Sequence, residues 1–246
     1  MMERISMIDK LNRIAHLPTS FTFDHKKILE EVTNLPMEMS PFQSGLRYGK
    51  TMMDVHYKLN WVSTALYSID GSTKSDPEEP WTGYFIPTEA IKLCPYTDSI
   101  IKQLGGGKLL ARLDNILPHS SVGWHGHQGE ARQPPWISVY QLPLSIPKQA
   151  KYSVLNSMDY RLSDFSSPIP QYDLSYEEGR LYVFNSYHYH NAFNDSDEPM
   201  LFIRFYVDIR DSSVEEFLRK ELSSYSGELM ASYEEYMEKG FYGEPK

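Results

Sequence analysis

Cysteine is almost missing from this chain: Cys94 stands alone in 246 residues, so no intramolecular disulfide can form and a reducing compartment is expected. A single thiol beside Pro95 reads as a small core residue rather than a nucleophile. No apolar run approaches the length that crosses a bilayer, and the opening Met1-Met2-Glu3-Arg4-Ile5 lacks the apolar centre of a signal peptide. A cytoplasmic protein without a membrane partner is therefore expected. Positive charge is also short, with 24 Lys and Arg against 33 Asp and Glu and a formal charge of -9. With no basic block to offset it, nucleic acid is excluded as a partner, and a neutral or cationic one is favoured. Neither an internal repeat nor a low-complexity tract is present. Gly105-Gly106-Gly107 lacks the Gly-Lys-Ser/Thr continuation of a phosphate loop and reads as a helix stop.

The chain does have enough to build a core, with 41% hydrophobic and 13% aromatic residues. Asp24 ahead of Ile28, Leu29, Val32 and Leu35 predicts a short capped helix ending before Pro36. Thr97-Asp98 opens another, through Ile100, Ile101 and Leu104. From Lys108 onward the period changes to two. Leu109–Leu113, Val122–His127, Ile137–Leu142, Tyr152–Leu155, Leu181–Asn185 and Leu201–Val207 read as short strands separated by Pro, Ser, Asn and Asp. Ser213 and Glu216 form a capping box before Val214, Phe217, Leu218 and Leu222. A further helical stretch is expected to carry Leu229, Met230, Tyr233, Tyr236 and Met237. The expected fold is mainly β with flanking helices, a sandwich or jelly roll. Within one compact domain, 1–80 is expected as a helical or irregular flank, 81–211 as the β core and 212–246 as a helical extension.

Five of the eight histidines lie between 119 and 190. His125 and His127, two apart on a strand, share a face, and a remote histidine can close a facial set of metal ligands. His188 and His190 also share a face, so pattern alone leaves either as the third. His190 is favoured because Asn194 follows it. His119, after Pro118, reads as a surface turn residue. Arg204 interrupts the apolar run from Met200 to Val207, where a guanidinium must find an anion: a buried acid or a ligand carboxylate taken in bidentate fashion. Glu130 is a second candidate oxygen ligand, Arg132 a substrate contact, and Gln141 a hydrogen-bonding group on the interior of the Ile137–Leu142 strand. Trp136, Tyr140, Tyr187 and Tyr189 are candidates for an aromatic mouth.

Several of these segments together resemble the aspartyl/asparaginyl β-hydroxylase family of iron(II)/2-oxoglutarate-dependent dioxygenases. They are Thr88 through Cys94-Pro95-Tyr96, Arg112-Leu113 through Pro118 with Val122 to His125, and Gly179 to Asn185 followed by His190 and Asn194. The similarity runs from about Trp81 to Asp208. It implies a double-stranded β-helix, Fe(II) and 2-oxoglutarate as cofactors, and decarboxylation of the keto acid coupled to hydroxylation of an unactivated carbon. Carried over, His125 and His190 are iron ligands. The chain departs from the family in three places. His127 stands where many members have Asp, Val139-Tyr140-Gln141 replaces an Arg-x-His, and the arginine expected near Phe202 is met two residues on, at Arg204, on the same strand face. The expected site is thus His125, His127 and His190 for the metal, with Arg204, Gln141 and Asn194 for the cosubstrate. The expected partner is an amino-acid-like or peptidyl substrate. A cupin-like metal protein that does not use 2-oxoglutarate is the alternative; there Arg204 would pair with a protein acid.

Overall fold

The computed structural model describes residues 2–39, 58–59, 61–74, 84–122, 134, 136–155, 171–186 and 188–230. The elements in order are α1 (Met2–Asn12), β1 (His16–Thr22), α2 (His25–Val32), β2 (Glu38–Met39), β3 (Lys58–Leu59), β4 (Trp61–Ser68), β5 (Ile86–Pro87), α3 (Glu89–Lys92) and α4 (Pro95–Gln103). They continue with β6 (Ala111–Ile116), β7 (Ser120–Ser121), β8 (Ile137–Ser145), β9 (Ala150–Leu155), β10 (Gln171–Leu174), β11 (Arg180–Phe184), β12 (His190–Asn194), β13 (Met200–Asp208) and α5 (Ser212–Ser224).

The large sheet runs β1-β11-β8-β13-β6-β4-β2, with β5 on β4, and the small sheet runs β10-β9-β12-β7-β3. Strands β6, β8, β11 and β13 thus belong to one sheet, and β7, β9, β10 and β12 to the other. Adjacent pairs among these eight are antiparallel. This is the strand order of a double-stranded β-helix, the jelly roll expected from the sequence.

Side chains alternate across the large sheet. On β13, Ile203, Phe205 and Val207 join an outer core with Leu113 of β6, Leu142 of β8, Ile28 of α2, Ile101 of α4 and Leu218 of α5. Met200, Phe202 and Tyr206 point the other way, into an inner core with Val139, Tyr152, Val154, Ala192 and Phe184 drawn from both sheets. Helices therefore cover one face of the large sheet while the small sheet covers the other. Tyr140, expected at an aromatic mouth, lies on the outer side, edge-on to Phe205 and Phe217.

The local signals hold with small shifts. Asp24 caps α2, accepting from Lys27 N at 3.2 Å. Helix α4 stops as the three glycines require: Gly106 N bonds Ile101 O at 2.8 Å, Gly105 N bonds Lys102 O at 3.1 Å, and Gly105 adopts φ +80. Helix α5 is capped by Asp211, which accepts from Ser213 N at 3.1 Å, instead of by the Ser213–Glu216 box. Helix α5 ends where Tyr225 turns to an extended conformation, and residues 225–230, with Leu229 and Met230 of the expected further helical stretch, are not helical; Tyr233, Tyr236 and Met237 lie outside the described residues.

The first 80 residues are more than a helical or irregular flank. Strand β1 pairs with β11 and β4 pairs with β6, extending the large sheet at both sides. Trp61 to Ser68 is almost wholly buried, and Ser63 and Thr64 interrupt the apolar run that would have marked it as a buried strand. Among the described residues, no helix is long and apolar enough to cross a membrane.

Candidate functional site

Three strands of the large sheet aim polar side chains into the inner core. Arg112 and Asp114 on β6, Gln141 on β8 and Arg204 on β13 are all 3% exposed or less. They share that face through the same period of two that separates Phe202 from Ile203. Arg204 sits directly across from Arg112 on one side and Gln141 on the other. Two opposed guanidinium groups repel, and Asp114 lies between them. Its carboxylate is 2.9 Å from Arg112 Nε and 3.4 Å from Arg204 Nε, and it accepts Trp61 Nε1 at 3.1 Å. The Trp61 ring lies 4.7 Å from the Arg112 guanidinium carbon.

Among the described residues Arg204 makes one hydrogen bond, from Nη2 to the Tyr152 hydroxyl at 3.0 Å. Burial opposes its charge, but Tyr152 and Asp114 outweigh that and hold its pKa above the ordinary value. Tyr152, on β9, also receives Gln141 Nε2 at 3.4 Å, while Gln141 Oε1 accepts the Tyr176 hydroxyl at 2.5 Å. Burial raises the pKa of both phenols, which are therefore neutral. Gln141 offers one oxygen to two phenols. Turning its amide over only exchanges which phenol donates to it. One phenolic proton therefore finds no acceptor among the described residues, beside a buried guanidinium with donors to spare.

Tyr152 connects this network to His190. Their rings stack at 6.2 Å and 15°, and Phe184 meets His190 edge-on at 4.9 Å. His190 begins β12 and is fully buried. Its Nδ1 is 2.8 Å from the His188 carbonyl. A carbonyl can only accept, so Nδ1 carries the proton and Nε2 is the nitrogen with the lone pair. The structure also separates the two histidines that pattern alone could not: His188 Nε2 contacts the Asn12 carbonyl at 3.1 Å. Burial pushes the His188 pKa down to about 4, so it is neutral.

His125, His127, Glu130 and Arg132 lie outside the described residues, as does Tyr187. Strand β7 pairs with β12, and Val122 N bonds Ala192 O at 3.0 Å, so the described chain ends three residues before His125 on the strand beside His190. Among the described residues no three His, Cys, Asp or Glu side chains gather around a common point.

Asn194, expected as a cosubstrate contact, is structural. Its Nδ2 donates to the carbonyls of Ile116, Leu117 and Glu198, and its Oδ1 accepts Ser196 N and Oγ. Every donor and acceptor of the amide is engaged in closing the turn into β13. His119, as expected, is a surface turn residue, at φ 51 and within 3.0 Å of Asp197.

Sequence reasoning missed Arg112, Asp114, Trp61, Tyr152 and Tyr176. Arg112 and Asp114 carried the signal that found Arg204, charges on an apolar strand two residues apart. Nothing distinguishes Tyr152 or Tyr176 among 18 tyrosines.

No protein-family model matches the chain, and no curated protein sequence matches it. Solved structures do resemble it. One is an oxidoreductase of the 2OG-Fe(II) oxygenase family from Burkholderia pseudomallei, 12% identical, with a TM-score of 0.50 over 82% of this chain and 90% of that one. Others are the α-ketoglutarate-dependent non-haem epimerase SnoN from nogalamycin biosynthesis (11%, TM-score 0.45, 84% of each chain) and a Pseudomonas putida prolyl-4-hydroxylase (12%, TM-score 0.42, 82% of this chain and 97% of that). At such identities the likeness is one of fold, and the first of the three agrees with the double-stranded β-helix traced above. None points to the aspartyl/asparaginyl hydroxylases in particular.

Proposed function

We propose that this chain is an iron(II)/2-oxoglutarate-dependent dioxygenase that hydroxylates an amino-acid-like or peptidyl substrate. The reading is carried by the unbroken contact from His190 through Tyr152 to Arg204 inside the barrel. An imidazole with a defined lone pair stacks on the Tyr152 ring, and a buried guanidinium meets its hydroxyl. The solved oxygenase of the same fold described above adds support.

The donor chemistry fits the metal. The His188 carbonyl holds His190 in the tautomer that a ligand needs, and imidazole suits iron. His125 and His127 would complete the set from the segment that follows β7. Bound there, iron(II) and 2-oxoglutarate supply oxidative decarboxylation with dioxygen and the oxidising power to hydroxylate a carbon.

The chain's own residues seat and orient the keto acid. Arg204 takes its distal carboxylate, and the phenolic proton left over by the Gln141 amide supplies a second, neutral donor to the same group. Tyr152, Gln141 and Tyr176 thereby serve in place of the missing Arg-x-His. The inner core around Phe184 and Phe202 keeps water from the seat, which strengthens these bonds.

Anaerobic addition of Fe(II) and 2-oxoglutarate should produce a metal-to-ligand charge-transfer band, absent with either alone and lost in Arg204→Met. Succinate should then form on admitting oxygen. No band with the wild-type protein refutes the reading. The 3.4 Å approach of Arg204 to Asp114 favours a second reading, a cupin-like protein that binds metal without 2-oxoglutarate. In that case iron binds, while the keto acid changes neither the spectrum nor the iron affinity.

A further inference from the structure

We propose that His188 is a positioning residue for His190, and that the N-terminal segment, acting through the backbone carbonyl of Asn12, holds it in place. The proposal rests on the reading that His190 binds a metal.

The Nδ1–H of His190 is aimed at the His188 carbonyl, 2.8 Å away. The orientation of the ring therefore follows the position of that peptide. The peptide is in turn anchored by its own side chain. His188 Nε2 donates to Asn12 O at 3.1 Å, across 176 residues of sequence. The same carbonyl accepts Asn185 Nδ2 at 2.8 Å, and Asn185 N bonds Ala15 O at 3.2 Å. On the far side, Leu155 N bonds Tyr189 O at 2.7 Å. The turn between β11 and β12 is thus laced to the chain that leads into β1 on one side and to β9 on the other.

The N-terminal segment is itself tied down. Met230 N bonds Arg13 O at 2.6 Å, Arg13 Nε donates to Met230 O at 3.1 Å, and Met230 is buried with the inner core. Lys10 Nζ reaches Leu222 O at 2.8 Å. A buried imidazole is an expensive way to fill space. Its hydrogen bond to Asn12 O leads away from the barrel, to a backbone whose place is set by residues near both ends of the described chain, while the backbone of Leu155 on β9 engages the ring from the barrel side. Outer partners of this kind orient a ligand and set metal affinity, and losing one typically costs about 10–100-fold.

Cobalt(II), read by its visible absorption, is titrated into the full-length wild-type protein and into His188→Leu, His188→Gln and His188→Asn. Gln can reach Asn12 O with its amide; Leu cannot donate and Asn is too short. Leu and Asn should weaken cobalt binding about 10–100-fold, with Gln within about threefold of wild type. Glu221→Gln, which loosens the clamp of α5 on Ser20 away from this site, should lower Tm without changing cobalt affinity. If Leu fails to fold, Asn carries the test.

Wild-type affinity in both Leu and Asn overturns the proposal and leaves the metal reading intact. Complete loss of cobalt binding in all three variants, His188→Gln included, would make His188 itself a ligand and also overturn it. A wild-type protein that binds no cobalt removes the metal reading and this proposal together.

Discussion

Replacing Tyr152 with Phe and Arg204 with Met, singly and together, tests whether the inner polar network acts as one unit. Tyr152→Phe deletes one oxygen and keeps the ring contacts with His190, Phe184 and Phe202. The lost oxygen accepts Arg204 Nη2 at 3.0 Å, a bond to a buried charge worth about 1.5–3 kcal/mol. In a chain of 246 residues this lowers Tm by about 3–12 °C, at 2–4 °C per kcal/mol. Arg204→Met should cost about 3 kcal/mol, the low end for breaking a buried pair. Asp114 keeps Arg112 at 2.9 Å and Trp61 at 3.1 Å, so its charge is not stranded. Once Arg204 is gone, the Tyr152 hydroxyl has lost its charged donor, and its removal should cost little. The double variant should therefore be more stable than the sum of the singles implies, by about 1–2 kcal/mol. The assay is reversible urea unfolding of the four proteins. Additivity within about 0.5 kcal/mol refutes the coupling and, with it, the picture of Tyr152 as a bridge between Arg204 and His190. Titrating 2-oxoglutarate into the iron-loaded proteins provides a second reading, with Tyr152→Phe expected to bind it about tenfold more weakly.

Cys94 is buried, and burial together with the nearby Glu31 pushes its thiol pKa from 9.0 up to about 11. At pH 8 its thiolate fraction is about 100-fold below that of a free thiol, so Ellman-type labelling should be slow until the protein unfolds; rapid native labelling contradicts this. Because folding favours the neutral thiol, its contribution is complete below about pH 9 and lost as pH rises toward 11, and Cys94→Ala should show a flatter Tm profile across that window. Asp211→Ala removes the cap of α5 and should cost about 0.5–2 kcal/mol, seen as a lower Tm at pH 7. Lys108 and Ser213 hold the Asp211 carboxyl down to about 2, so its contribution is present above about pH 4 and disappears as pH falls through 2; the variant and the wild type should converge there.

Strand and helix positions were legible where an apolar stripe or an apolar run bounded by turn residues stands out, as at α2, β8 and β13. Strand β4 is buried to the same degree, but Ser63 and Thr64 break its apolar run and hide it. Arg204 was legible because a charge in an apolar strand needs a partner. Its choice among Asp114, Tyr152 and a ligand was not, since Asp114 and Tyr152 come from two other strands and a ligand from outside the chain. Asn194 shows the opposite failure. Spacing from His190 suggested a ligand contact, yet turn chemistry accounts for every atom of its amide.

The sequence by itself determined the layering: alternation in β6, β8 and β13 separates a helix-covered core from an inner one and sends Arg112, Asp114, Gln141 and Arg204 inward together. It also marked His125, His127 and His190 as candidate metal ligands. Only the tertiary structure decided which histidine of the second pair lies in the barrel and which faces the N-terminal segment, and that Tyr152 joins His190 to Arg204. Those outcomes depend on contacts between residues far apart in the chain, whose approach follows from the pairing of whole strands and not from any local pattern.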